Sequence, residues 1–232
     1  MKRTVVMGCA LALVALALVG GQPAEAQDLQ QKLAAAKQAA AQNQQALRSY
    51  TWLEKTELSY KGEVKNTKVE SCRYGPDGKV QKTVIEAPPP AQEKRGLRGK
   101  VIAKKTGEMK EELESASALV HRYVPPDPGL MQVVMGAGKA SLAQQGPGAV
   151  ALKFADYLKA GDALTLTFDP AVKAMRQMAV NTYLDDPASP VTLQVQMASL
   201  PDAAYPGSVT LAIPASQIEV RITNSNYQKV AP

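Results

Sequence analysis

The chain has 232 residues, with 27 lysines and arginines against 21 acidic residues, for a net charge of +6. That length allows one domain with a real core, and a charge of this size is a solubility margin rather than a nucleic-acid footprint. It has a single histidine, His121, and two cysteines, so any Ser-His-Asp or Cys-His site would have to use that one imidazole.

The amino terminus has the layout of an export signal. Lys2 and Arg3 are followed by an apolar run from Val5 to Val19, a break at Gly20, Gly21 and Pro23, and the small-x-small sequence Ala24-Glu25-Ala26. The run is shorter than the roughly 20 residues a membrane-spanning helix needs, so cleavage after Ala26 is expected and a transmembrane anchor is not. Val6-Met7-Gly8-Cys9 loosely matches a lipid-attachment site, but the apolar core follows Cys9 instead of preceding it. Removing residues 1–26 takes away two basic residues and one acidic residue, which leaves a net charge of +5. Periplasmic or secreted localisation follows. Cys72 is then the only cysteine, and stability must come from burial without an internal disulfide.

Residues 28–47 have helical spacing at Leu29, Leu33, Ala36, Ala40 and Leu47, with Asp28 and Gln31 as a capping pair. At Tyr50 the period becomes 2. Tyr50, Trp52, Thr56, Leu58 and Tyr60 share one side of a strand, and Lys55, Glu57 and Ser59 share the other. Lys61-Gly62 and Gly75-Pro76-Asp77-Gly78 are turn signals, which makes residues 48–86 a three-stranded meander. Helical spacing returns over 98–124 at Ile102, Met109, Leu113, Ala116, Val120 and Tyr123, and Pro125-Pro126 stops it. Asp127-Pro128 opens a second helix expected over 128–143. From 149 to 224 the alternation is sustained, cleanest in Val191, Leu193, Val195 and Met197. The whole predicts about nine strands joined by short connections around one helical block.

Strands with one apolar face must bury it, and helices that are clustered instead of alternating point to an α+β domain over 27–232. The expected form is a curved antiparallel sheet, an open half-barrel, with an amino-terminal helix and an inserted helical pair. This order, with the strand entry Tyr50-Thr51-Trp52 and the late strands over 163–199, resembles the LolA/LolB-like carrier fold of bacterial envelopes. The resemblance is one of architecture across nearly the whole exported chain, and it implies a hydrophobic guest without supplying site residues.

The candidate chemistry is sparse. His121 falls in the last turn of a helix, where it suits the dipole or faces solvent. Cys72 has no Cys-x-x-Cys partner and alternates with Tyr74, as a buried small residue would. Gly136-Ala137-Gly138-Lys139-Ala140-Ser141 lacks the first glycine of a phosphate loop and has Ala140 where a hydroxyl is needed. Asp185 and Asp186 are too few for a cation shell, and Asp-Asp-Pro is an everyday turn. No catalytic constellation is recognisable, and neither enzyme activity nor a cofactor is expected.

Two features remain. The densest basic run, Lys94, Arg95, Arg98, Lys100, Lys104 and Lys105, suits an anionic membrane surface or an acidic partner, or simply a solvated face. The aromatic strand with Tyr50, Trp52, Leu58 and Tyr60 could face the flexible Met131 and Met135 of the second helix across an acyl-chain cavity, with a plain apolar core as the competing reading. The leading expectation is a carrier or binding protein for a lipid or acylated protein. The alternative is an interaction module in envelope assembly or stress sensing.

Overall fold

A computed structural model of the chain describes residues 41–87, 97–146, 148–169 and 174–230, with Gln38 and Ala171. The predicted signal peptide over 1–26, most of the predicted helix ahead of residue 41, and Lys94 and Arg95 lie outside the described residues. The chain divides into two compact units, 1–38 and 39–232, and every element named here belongs to the second.

Residues 41–47 are helical (α1) and lead into three strands, β1 (Tyr50–Tyr60), β2 (Glu63–Tyr74) and β3 (Val80–Glu86). Two helices follow, α2 (Leu97–Val120) and α3 (Pro128–Gly136). Then come β4 (Ala140–Gln144), β5 (Val150–Ala155), β6 (Ala163–Asp169) and β7 (Ala174–Tyr183). The chain continues through β8 (Pro190–Ser199), β9 (Ala204–Ile213), a single 3-10 turn (Pro214–Ser216) and β10 (Ile218–Lys229). All ten strands form one open antiparallel sheet in the order β3-β2-β1-β10-β9-β8-β7-β6-β5-β4. The expected α+β class with a single open sheet is what the chain adopts.

Turn chemistry explains the hairpins. Lys61 and Gly62 both have positive φ, at 54° and 76°, and link the paired residues Tyr60 and Glu63. Two consecutive left-handed residues match the twist of the strands they join. In the next turn Gly78 donates to the carbonyl of Gly75 at 2.9 Å, and Asp77 Oδ1 accepts from the Lys79 N–H at 3.1 Å.

The sheet has one strand more than expected, because the second helix is shorter than 128–143. Its start is as predicted: Pro128 occupies the first turn, and Asp127 Oδ1 accepts from the Leu130 N–H at 2.9 Å. The helix stops at Gly136. Gly138 takes φ +71°, the Lys139 N–H bonds back to the Val134 carbonyl at 3.1 Å, and residues 140–144 pair with β5 as an edge strand. The Gly136–Ser141 stretch therefore spans a helix end, a turn and a strand start.

The core shows how far the inner face is filled. One row of directly paired residues runs Phe154, Leu164, Val180, Leu193, Leu211, Val220, Leu58 from β5 to β1. The first five are buried and the last two only half-buried. The neighbouring row, Leu152, Leu166, Met178, Val195, Val209, Ile222, Thr56, is buried at Leu166, Met178 and Val195 and half-buried at the rest. Among the described side chains of the helical block, Ala116, Val120, Tyr123, Met131 and Val134 are buried, and α3 packs on β5. On β10 and β1 these two rows are only half-buried, between Trp52 and Glu54 on one side and Ile218 on the other, which are buried on the same face.

Candidate functional site

The first half of β1 places its even-numbered side chains on the inner face, and Tyr50, Trp52 and Glu54 are all buried. Antiparallel pairing sets Cys72 opposite Trp52 and both Glu70 and Asn224 opposite Glu54. Directly paired residues share a face. β10 carries a bulge here: the pairing steps from Leu53–Ser225 to Thr51–Gln228, with Asn226 at φ 54°. The bulge brings Tyr227 parallel to the Trp52 ring, 4° between planes and 5.4 Å between centroids. Tyr74 meets the other side of Trp52 at 5.4 Å, and Tyr205 packs on Tyr227 at 4.1 Å.

Helix α1 closes one end. Asn43 Nδ2 donates to the Ala204 carbonyl at 2.7 Å and its Oδ1 accepts from the Ala204 N–H at 2.5 Å, and the helix buries Leu47 against this corner. What remains is a cavity of about 240 Å³ with apolar walls from Leu47, Trp52, Tyr74 and Tyr227 and polar ones from Glu54, Lys82 and Asn224.

The polar wall carries charge at low exposure. Glu54 is 8 % exposed and accepts from Lys82 Nζ at 2.5 Å, while Glu70 is 8 % exposed and pairs with Lys68 at 2.6 Å. Carboxylates stay charged in such places when a cation compensates them. Asn224 Nδ2 donates to the Pro206 carbonyl at 2.8 Å, but its Oδ1 is buried and accepts from no group among the described residues. The Cys72 thiol is pushed up to about 11, first by burial and then by the negative charge of Glu54. Burial is also the first cause that raises the Tyr227 and Tyr74 hydroxyls.

The structure divides the residues that the sequence grouped. Tyr50 lies beside this cavity, its hydroxyl donating to Asp202 Oδ1 at 2.5 Å while Lys229 Nζ holds Oδ2 at 2.6 Å. Leu58 and Tyr60 lie half-buried further along β1. Met131 is buried and Met135 half-buried on α3, over β5. Five strands separate β1 from β5, about 29 Å along the sheet at the usual spacing of ~4.8 Å. The cavity beside Trp52 is lined by neither methionine. The cause is topological: the pairing of β1 with β10 moves the first meander to the far side of the sheet.

Arg98 and Lys100 fall on the first turn of α2, and Lys104 and Lys105 are exposed further along it, Lys104 lying 3.7 Å from Glu108. His121 is exposed in the turn after α2. Asp186 is a turn residue whose Oδ1 accepts from the Ala188 N–H at 2.9 Å. Among the described residues no group of three His, Cys, Asp or Glu could hold a metal, and no described helix is long and apolar enough to cross a membrane. A broader depression of about 590 Å³ borders Ser59, Ala212 and Glu219, the row on the opposite face of the sheet.

Sequence reasoning missed Glu54, Glu70, Tyr74, Tyr205, Asn224 and Tyr227 as site residues. The period-2 pattern of β1 carried a signal for Glu54, since it put a carboxylate between Trp52 and Thr56 on the apolar side. Nothing local could show that β10 would bring Tyr227 and Asn224 beside it.

No family model matches the sequence, and no curated protein matches it. Among solved structures the chain is similar to a DUF1329 family protein from Desulfovibrio piger ATCC 29098, with a TM-score of 0.42 and 8 % identity, over 86 % of this chain and 92 % of that one.

Proposed function

We propose that this protein is an exported, non-enzymatic binding protein or carrier for an apolar guest, a lipid or the acyl chain of an acylated protein, as its resemblance to the LolA/LolB-like carriers implies. The observation that carries this reading is the change in cover along the inner face. Apolar rows sealed over β6–β8 continue as the half-buried Val209, Val220, Ile222 and Leu58, and the Trp52 cavity adjoins them. A guest chain laid on that strip would complete the burial, each CH₂ contributing about 0.8 kcal/mol.

Trp52 is the only tryptophan, so its emission reports on this corner alone. N-decyl dansylamide, an uncharged alkyl probe, should accept energy from Trp52, and Leu58→Glu should abolish the transfer. Absence of transfer, together with recovery of no lipid by mass spectrometry from protein purified out of its own compartment, would remove the proposal. Export predicts a purified protein whose first residue is Gln27. The basic residues on and before α2 suit delivery to an anionic bilayer, checked by salt-sensitive cosedimentation with phosphatidylglycerol vesicles.

A second reading, a protein-interaction module in envelope assembly or stress sensing, is favoured by edge strand β3. All seven of its residues are exposed, Val84 at 49 % and Ile85 at 61 %. An open edge of this kind can accept a partner's strand. A photo-crosslinker at Ile85 that forms no adduct in cells would count against it.

A further inference from the structure

We infer that the cavity beside Trp52 is a subsite for a positively charged amine, so that the guest is an amphiphile with an ammonium head and an apolar tail. This rests on the apolar-guest reading and specifies its head group. The polar part of the wall is rich in acceptors. Glu54 lines it directly, and Glu70 lies opposite Glu54 on the neighbouring strand. Asn224 also lines it, and its buried Oδ1 has no donor among the described residues.

The counter-charges are placed to be exchanged. Lys82 and Lys68 reach the two carboxylates from the rim, with side chains 40 % and 42 % exposed, whereas the carboxylates themselves are only 11 % and 10 % exposed. A ligand ammonium could displace Lys82 from Glu54, because the freed lysine returns to water at little cost while the buried carboxylate keeps a partner. The other walls include the rings of Trp52, Tyr74 and Tyr227 and the side chain of Leu47, which suit the apolar part of such a ligand.

The position also suits a two-part ligand. Glu54 is followed on the same face of β1 by Thr56 and Leu58, beside Ile222 and Val220 of β10. A head at Glu54 therefore directs the tail onto the half-buried apolar strip. A carboxylate head would instead meet the Glu54 carboxylate.

The test uses three probes with one tail, decylamine, decanoate and decanol, each below its micelle concentration, read by Trp52 fluorescence on the full exported chain. Decylamine should bind at least tenfold more tightly than decanoate and decanol. Glu54→Gln should reduce the preference for decylamine over decanol to near unity. Equal binding of all three, or tighter binding of decanoate, overturns the ammonium subsite but leaves the apolar-guest reading standing. Failure of all three to bind sinks both. If Glu54→Gln does not fold, Asn224→Leu supplies the second variant, and the wild-type ranking alone still decides.

Discussion

Asp162 is 2 % exposed, and hydrogen bonds hold it. It accepts from the main-chain N–H groups of Tyr157 at 2.5 Å, Leu158 at 3.1 Å and Lys159 at 3.0 Å, and from the Tyr123 hydroxyl at 2.5 Å. Tyr123, itself fully buried, also lies 2.8 Å from Thr182 Oγ1, so the clasp ties the segment after α2 to β6 and β7. Tyr123→Phe should cost about 2 kcal/mol in urea unfolding, because it leaves a buried carboxylate short of a donor. Asp202 behaves differently, since hydrogen bonds from Lys229 first and Tyr50 second hold its carboxyl below the usual range. A depressed folded value gives stability that is present above the normal carboxylate range, near pH 4, and is lost as pH falls through the folded value. Asp202→Asn should therefore be less stable than wild type at pH 6, with a shallower loss between pH 5 and pH 3. The sign is opposite for Cys72. Its raised thiol stabilises the fold below about pH 9, and that contribution disappears as pH rises through about 11. Iodoacetamide at pH 8 should label Cys72 only after urea is added, and fast labelling of the native protein would contradict its burial.

The elements were legible in proportion to how far local chemistry decided them. The Lys61-Gly62 and Gly75–Gly78 turns, the Asp127 cap and the strands from β5 onward all follow from residues within a few positions of each other. The end of α3 did not, because Ala140, Leu142 and Ala143 continue a plausible helical stripe. Gly138 is the deciding residue: at φ +71° no atom lies within 4 Å of where a Cβ would sit, so backbone strain is the whole penalty for a side chain there. Gly138→Ala should destabilise the protein by about 1 kcal/mol without disturbing the core, measured as a lowered urea midpoint with an unchanged slope. The candidate site was half legible. Trp52 and Tyr50 stood out as the aromatic entry to a strand, and the methionine partner assigned to them lies beyond five other strands.

At the scale of the molecule, the open sheet sets a gradient of stability. The strands from β6 to β9 are paired on both sides and hold many buried side chains, whereas β3 and β4 are edges with mostly exposed residues. Amide exchange followed by mass spectrometry should show the slowest peptides in β6–β8 and the fastest among the strands in β3 and β4. Protection of β3 equal to that of β7 would mean that its open edge is covered.

The amino-acid sequence by itself determined the class of fold, an antiparallel sheet interrupted by one helical block, because side-chain period and turn residues are properties of neighbours in the chain. It also pointed to Cys72 as a buried residue, which it is. Only the tertiary structure decided which ends of the chain meet. The β1–β10 pairing joins residues more than 150 positions apart through backbone hydrogen bonds that any residue but proline can make. That pairing, which carries no side-chain signature, places Tyr227 and Asn224 beside Trp52 and Glu54 and so creates the pocket.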